Sequence, residues 1–132
     1  TDLSTEVLAK AHSGIYTKDL VDPVPPEFKR KYVMQAKEKH RNDVRIAAKL
    51  RSKVGFARMN LMNPTYEIGD PVHILFCRNV LIYFDKKTQI HVLSQLCKCV
   101  VPGGYLLIGH SETVTGIDLP IKQVANTIFM KQ

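Results

Sequence analysis

Short apolar runs, each ending on a polar cluster, alternate along this chain with segments whose apolar residues recur at helical spacing. The clearest run is residues 74–77, bounded upstream by Gly69 and Pro71. Too short for a helix, it predicts a strand buried on both faces inside a parallel sheet. A second apolar patch covers residues 80–84, after which Asp85-Lys-Lys-Thr-Gln opens an amphipathic helix. Over residues 88–101 that helix carries Ile90, Leu93, Leu96, Cys97 and Val100 on one stripe. Pro102-Gly103-Gly104 reads as a turn, residues 105–108 as another short buried strand, and residues 119–124 and 127–131 as an antiparallel hairpin joined through Ala125-Asn126.

Nearer the start, Ser4 is a suitable N-cap for a helix over residues 5–12, with Val7, Leu8 and Ala11 on one face and Ser13-Gly14 as its stop. Residues 54–59 alternate as a strand that ends at Asn60-Leu61. Between these, residues 14–53 break the rhythm. Ile15-Tyr16 predicts a short strand, Asp22-Pro-Val-Pro-Pro26 a stiff turn, residues 27–32 a helix, residues 45–47 another short strand and residues 48–53 a helical turn, while residues 35–43 are polar without period. This segment is expected to fold as a small lobe inserted at the sheet edge.

Asp2, Asn60, Arg78-Asn79 and His110-Ser111-Glu112 each follow a strand candidate. Parallel strands gather their carboxyl ends on one rim, which is where open α/β sheets bind ligands, so these positions predict a small-molecule cleft. Asp2 suits ribose hydroxyls, and Asn60 with the backbone around Leu61 can pair with the polar edge of a base. His110 is either a ligand to acid groups or a capped loop residue. Neither G-x-G-x-x-G nor a P-loop is present, which favours a nucleoside cofactor without phosphates. Hydrolytic triads and paired carboxylates are also missing from the strand ends.

Composition narrows the setting. The 132 residues suit one domain. No apolar run approaches the ~18 residues of a membrane span and no signal-peptide pattern appears, which predicts a soluble, cytoplasmic protein without membrane insertion. Cys77, Cys97 and Cys99 match neither a zinc site nor a C-x-x-C motif and are expected to be buried, reduced thiols; no metal site is expected. Net charge is +7, and residues 29–58 hold eleven Lys or Arg against two acids. That basic segment invites an anionic partner, be it nucleic acid, membrane or an acidic protein surface. Aromatics beyond Tyr32 and Phe56 are lacking there, which argues against a stacking platform for single strands. Thr1-Asp2-Leu3-Ser4 reads as the tail of a strand and a helix cap, so the chain is expected to be a fragment whose sheet lacks a neighbouring strand.

Cys77-Arg-Asn-Val-Leu-Ile-Tyr-Phe-Asp85, Pro102-Gly-Gly-Tyr105, Gly109-His-Ser-Glu112, Thr1-Asp2-Leu-Ser-Thr5, Ser13-Gly-Ile-Tyr16 and Asn60-Leu61 together resemble, in order, the chemotaxis receptor methyltransferases of the CheR type. The resemblance implies an α/β fold: a Rossmann-like methyltransferase sheet, incomplete with its first strand missing, a C-terminal antiparallel hairpin and a small inserted β-subdomain. Residues 1–13 and 54–132 would belong to the catalytic domain and residues 14–53 to the receptor-contacting subdomain. It implies S-adenosylmethionine as cofactor, receptor glutamates as methyl acceptors, and the cytoplasmic helical domain of chemoreceptors as partner, with no nucleic acid. Asp2 would bind the ribose, Asn60, Leu61, Arg78 and Asn79 would line the cofactor pocket, and Tyr83 would sit near the transferred methyl. Family members that grip a receptor's C-terminal peptide carry a glycine-flanked insertion, and residues 35–43 contain no glycine. His73 stands where the family commonly has Asp. The sheet edge left by the missing strand is expected to promote self-association. The competing expectation is a non-enzymatic basic module, a pseudo-methyltransferase that binds a regulator or nucleic acid.

Overall fold

The computed structural model describes residues 1–36, 42–110, 112, 114 and 117–132. They form two compact units, Thr1–Asn60 and Leu61–Gln132.

In the first unit, α1 (Thr5–Ser13) begins where the Ser4 hydroxyl accepts the Val7 N–H at 3.3 Å. It ends where Gly14, at φ 63°, donates its N–H to the carbonyls of Lys10 and Ala11. Glycine is required there for two reasons: the left-handed backbone, and the Arg51 Cδ that would lie 2.6 Å from an added Cβ. Then follow β1 (Ile15–Thr17), α2 (Lys18–Val21), α3 (Pro26–Tyr32), β2 (Val33–Gln35), β3 (Asp43–Ile46) and α4 (Ala48–Arg51). The strands make an antiparallel sheet in the order β1-β3-β2, with Val44 of the central strand buried. The expected strand over residues 45–47 starts two residues earlier, because Asp43 pairs with Thr17. Part of the aperiodic stretch, residues 37–41, lies outside the described residues. The strand expected over residues 54–59 contracts to one parallel bridge between Asp2 and Arg58. Gly55 weakens any strand there, and Val54 and Phe56 remain exposed, so little burial offsets the cost of extending the backbone.

The second unit contains β4 (Val72–Cys77), a 3-10 turn (Leu81–Tyr83), α5 (Lys86–Lys98), β5 (Val100–Ile108) and the hairpin β6 (Ile121–Ala125) and β7 (Ile128–Lys131). Its sheet runs β4-β5-β7-β6, with β4 and β5 parallel and the other pairs antiparallel. Leu93, Leu96 and Val92 of α5 pack with Leu106, Ile108, Phe129, Leu81 and Cys77 in the core. Asp85 caps α5, accepting the Thr88 N–H at 2.8 Å. That bond holds its carboxyl below the usual aspartate range.

Three expectations need correction here. The helix stops at Lys98, short of Val101, because Val100 already pairs with Val72. Pro102-Gly103-Gly104 lies inside β5, where the register with β4 shifts between Val72 and Ile74 and Gly103 takes φ 78°. An added Cβ on Gly104 would lie 2.9 Å from the His73 carbonyl oxygen, so the irregular strand needs its closest approach unobstructed. Finally, β4 is not buried on both faces. It is an edge strand of its sheet, and Ile74 and Phe76 are 56% and 66% exposed while Leu75 and Cys77 join the core. The three cysteines are free thiols and buried, as their spacing led us to expect.

Candidate functional site

Each unit sets two chain segments side by side in parallel. In the first, Asp2 donates its N–H to the Ala57 carbonyl at 3.3 Å, and Met59 donates its N–H to the Asp2 carbonyl at 3.0 Å. This parallel bridge sets Asp2 beside Arg58, two residues before Asn60. Asp2 and Asn60 are both exposed. One Asp2 carboxylate oxygen accepts the Ser4 N–H at 2.8 Å, turning the chain into α1, and the Arg58 guanidinium donates to the Leu3 carbonyl at 3.1 Å. Asp2 therefore acts as a local turn acid whose carboxylate still meets solvent.

In the second unit, β4 and β5 run in register up to Cys77 and Ile108, so Arg78-Asn79 and Gly109-His110 leave on one rim. Arg78, Asn79 and His110 are exposed, and Asn79 adopts φ 58°, a left-handed conformation that asparagine tolerates better than most residues. The two strand ends are fastened by Glu112, a buried acid 7% exposed. One carboxylate oxygen accepts the N–H groups of Val80 and Leu81 at 2.8 and 2.7 Å, and the other accepts the Gly109 N–H at 2.5 Å. A Cβ on Gly109 would come within 2.6 Å of the Asn79 Oδ1 and 2.7 Å of the Glu112 Oε2, so any larger residue at this crossing must displace its neighbours.

Tyr83 follows on the 3-10 turn and is 79% exposed. Its side chain meets solvent, yet its backbone is held at both ends. Glu112 occupies the N-terminal N–H groups of the turn, and the Gln89 amide of α5 donates to the Leu81 and Phe84 carbonyls at 3.0 and 3.1 Å. Leu61 is half-buried against the core, where the Tyr66 hydroxyl donates to its carbonyl at 2.6 Å. Burial, with Cys77 and Cys99 nearby, pushes the Tyr66 hydroxyl up to about 12. A ring nitrogen of His91 lies 3.1 Å from the Asn63 carbonyl oxygen, tying the same loop to α5.

Sequence reasoning singled out the exposed polar tips and overlooked what holds them. Glu112 belonged to a recognised polar cluster, and its pattern carried no mark of burial. Gln89 and Tyr66 gave no signal, since their partners are backbone carbonyls of the 3-10 turn and of Leu61. Ser111, named with Glu112, lies outside the described residues. Among the described residues no group of three or more His, Cys, Asp or Glu is placed to hold a metal ion. Among the described residues no helix is long and apolar enough to cross a membrane. Asp2 and Asn60 in the first unit, and Arg78 and Asn79 in the second, are each exposed hydrogen-bonding side chains.

Residues 1–130 match the family described as CheR methyltransferase, SAM binding domain. The chain is 38% identical over 129 residues to the chemotaxis protein methyltransferase of Salmonella typhimurium (strain LT2) and 35% identical over 129 residues to that of Escherichia coli (strain K12). In both cases 98% of this chain is covered but only 45% of the relative, so the chain spans less than half their length. Against the chemotaxis protein methyltransferase of Borreliella burgdorferi it is 36% identical over 116 residues, covering 88% of this chain and 40% of the relative. With S-adenosylmethionine as the methyl donor that this domain type binds, the chain belongs to the CheR methyltransferase family, in its SAM-binding domain.

Proposed function

We propose that the protein carrying this chain transfers a methyl group from S-adenosylmethionine to glutamate carboxylates on the cytoplasmic helical domain of chemotaxis receptors, and that it does so in the cytoplasm. The observation that carries the reading is the parallel β4-β5 pairing, after which Arg78-Asn79 and Gly109-His110 leave on one rim, in a chain matched to the SAM-binding domain over residues 1–130. Asp2 accepts hydrogen bonds from the ribose hydroxyls, Asn60 and the Leu61 backbone pair with the base edge, and Arg78 and Asn79 are further cofactor contacts. When bound, the cofactor supplies a methyl group already activated on a sulfonium. A glutamate carboxylate is ionised at neutral pH and needs no general base, so these residues have only to align acceptor and donor and exclude water. Tyr83, with a rigid ring and one hydroxyl, orients the acceptor from the 3-10 turn.

Residues 14–53, with their antiparallel sheet β1-β3-β2, serve as a receptor-contacting subdomain inserted in the catalytic domain formed by residues 1–13 and 54–132. Support comes from basic α3, where Lys29, Arg30 and Lys31 cluster in the last turn. An uncovered sheet edge would promote self-association of the chain.

The test is transfer of labelled methyl from S-adenosylmethionine to a purified receptor cytoplasmic domain by the full protein, with Asp2→Ala and Arg78→Ala compared with wild type by calorimetry using S-adenosylhomocysteine. Loss of hydrogen bonds to a charged partner, about 1.5–3 kcal/mol, corresponds to roughly 10–100-fold weaker binding. Unchanged affinity in both variants, or label appearing nowhere on acidic side chains, would sink the reading.

A further inference from the structure

We propose that Glu112 is a positioning residue for this site: its buried carboxylate bridges the ends of β4 and β5 and so sets the backbone on which Arg78, Asn79 and Tyr83 are presented. The inference rests on the cofactor-site reading above, but assigns a role to a residue that touches neither cofactor nor acceptor. It is carried by geometry. Both oxygens are engaged, with two N–H donors from the segment after β4 and one from the segment after β5, at 2.5–2.8 Å.

A carboxylate is the only side chain group of this reach whose two oxygens are both acceptors without a donor. An ion buried in this way persists because several N–H dipoles converge on it, replacing the water it has lost. The donors from Val80 and Leu81 open the 3-10 turn, so the negative charge sits at the end of a turn whose free N–H groups favour it. Immediately upstream is Asn79 with φ 58°. Such a conformation costs about 1 kcal/mol or more for a side chain-bearing residue and persists only where the surroundings fix it. Gly109 supplies the other half of the fixture, since its missing Cβ leaves room for both the Asn79 amide and the Glu112 carboxylate. Release of the carboxylate therefore frees the left-handed residue and the Tyr83 turn together, while Gln89 still holds the turn's far end.

Glu112→Gln tests this with the smallest change of shape. In either rotamer the new NH2 group faces at least one of the three backbone donors. In the full protein at a temperature well below its melting point, where circular dichroism shows a folded molecule, the expected result is an S-adenosylhomocysteine Kd raised about 10-fold, with kcat/KM for methyl transfer lowered at least as much. A purely structural role would lower the melting temperature and leave that Kd at the wild-type value. Folded Glu112→Gln with wild-type Kd and kcat/KM overturns the proposal. Amide hydrogen exchange in the wild type keeps it falsifiable if the variant fails to fold: Val80, Leu81 and Gly109 should exchange as slowly as Leu106 and Ile108 of β5, and exchange at exposed-loop rates overturns it. Wild-type protein that does not bind S-adenosylhomocysteine would instead remove the cofactor-site reading, and the positioning role with it.

Discussion

Gly109→Ala isolates the crowding at the strand ends from any question of backbone conformation, because Gly109 is not among the glycines at positive φ. An alanine can therefore adopt the backbone; what it meets is atoms. Its Cβ would lie 2.6 Å from the Asn79 Oδ1, 2.7 Å from the Glu112 Oε2 and 3.0 Å from the Asn79 backbone nitrogen. Ordinary contact begins near 3.4 Å, so neighbours must retreat by most of an ångström. The nearest side chains are short and one of them is buried and bonded on both oxygens. Overpacking of this kind costs about 1–3 kcal/mol, and displacement of the Gly109 to Glu112 hydrogen bond adds about 1.5 kcal/mol. Urea denaturation of the full protein should give a destabilisation of roughly 2.5–4.5 kcal/mol with an unchanged m-value. Gly55→Ala is the control. Nothing lies within 4 Å of its added Cβ, so the same substitution there should be neutral or stabilise by about 0.4–1 kcal/mol through the unfolded chain. Equal stabilities for the two variants would refute the account of the Gly109 crossing.

Tyr66→Phe removes the hydroxyl donor to the Leu61 carbonyl and should destabilise by about 1 kcal/mol in the same denaturation assay. Cys77 offers a pH-dependent test. Burial first, then the Glu112 charge, push its thiol from the ordinary 9.0 up to about 11 in the folded state. A raised folded-state pKa contributes stability that is complete below about pH 9 and is lost as pH rises toward 11. The unfolding free energy should fall over that window, and Cys77→Ala should remove part of the fall. Native-state alkylation of Cys77 at pH 8 should be slow and should accelerate on unfolding.

Local pattern alone was enough for α1 with its Ser4 cap and Gly14 stop, for α5 with its Asp85 cap, and for the β6-β7 hairpin, because caps, turn residues and apolar periodicity act within a few residues of one another. The polar strand ends were also legible, since each follows its apolar run in sequence. Only the tertiary fold decided that β4 is an edge strand with Ile74 and Phe76 facing solvent, for an apolar run says that burial is favourable and not which neighbour supplies it. The same holds for the Pro102-Gly103-Gly104 irregularity inside β5, set by pairing with β4, and for residues 54–59, where alternation without a partner yields one bridge. Glu112 marks the limit most plainly. Its identity is written at one position, but its burial comes from backbone donors about 30 residues upstream and three residues before it, brought within hydrogen-bond reach only when two parallel strands end side by side.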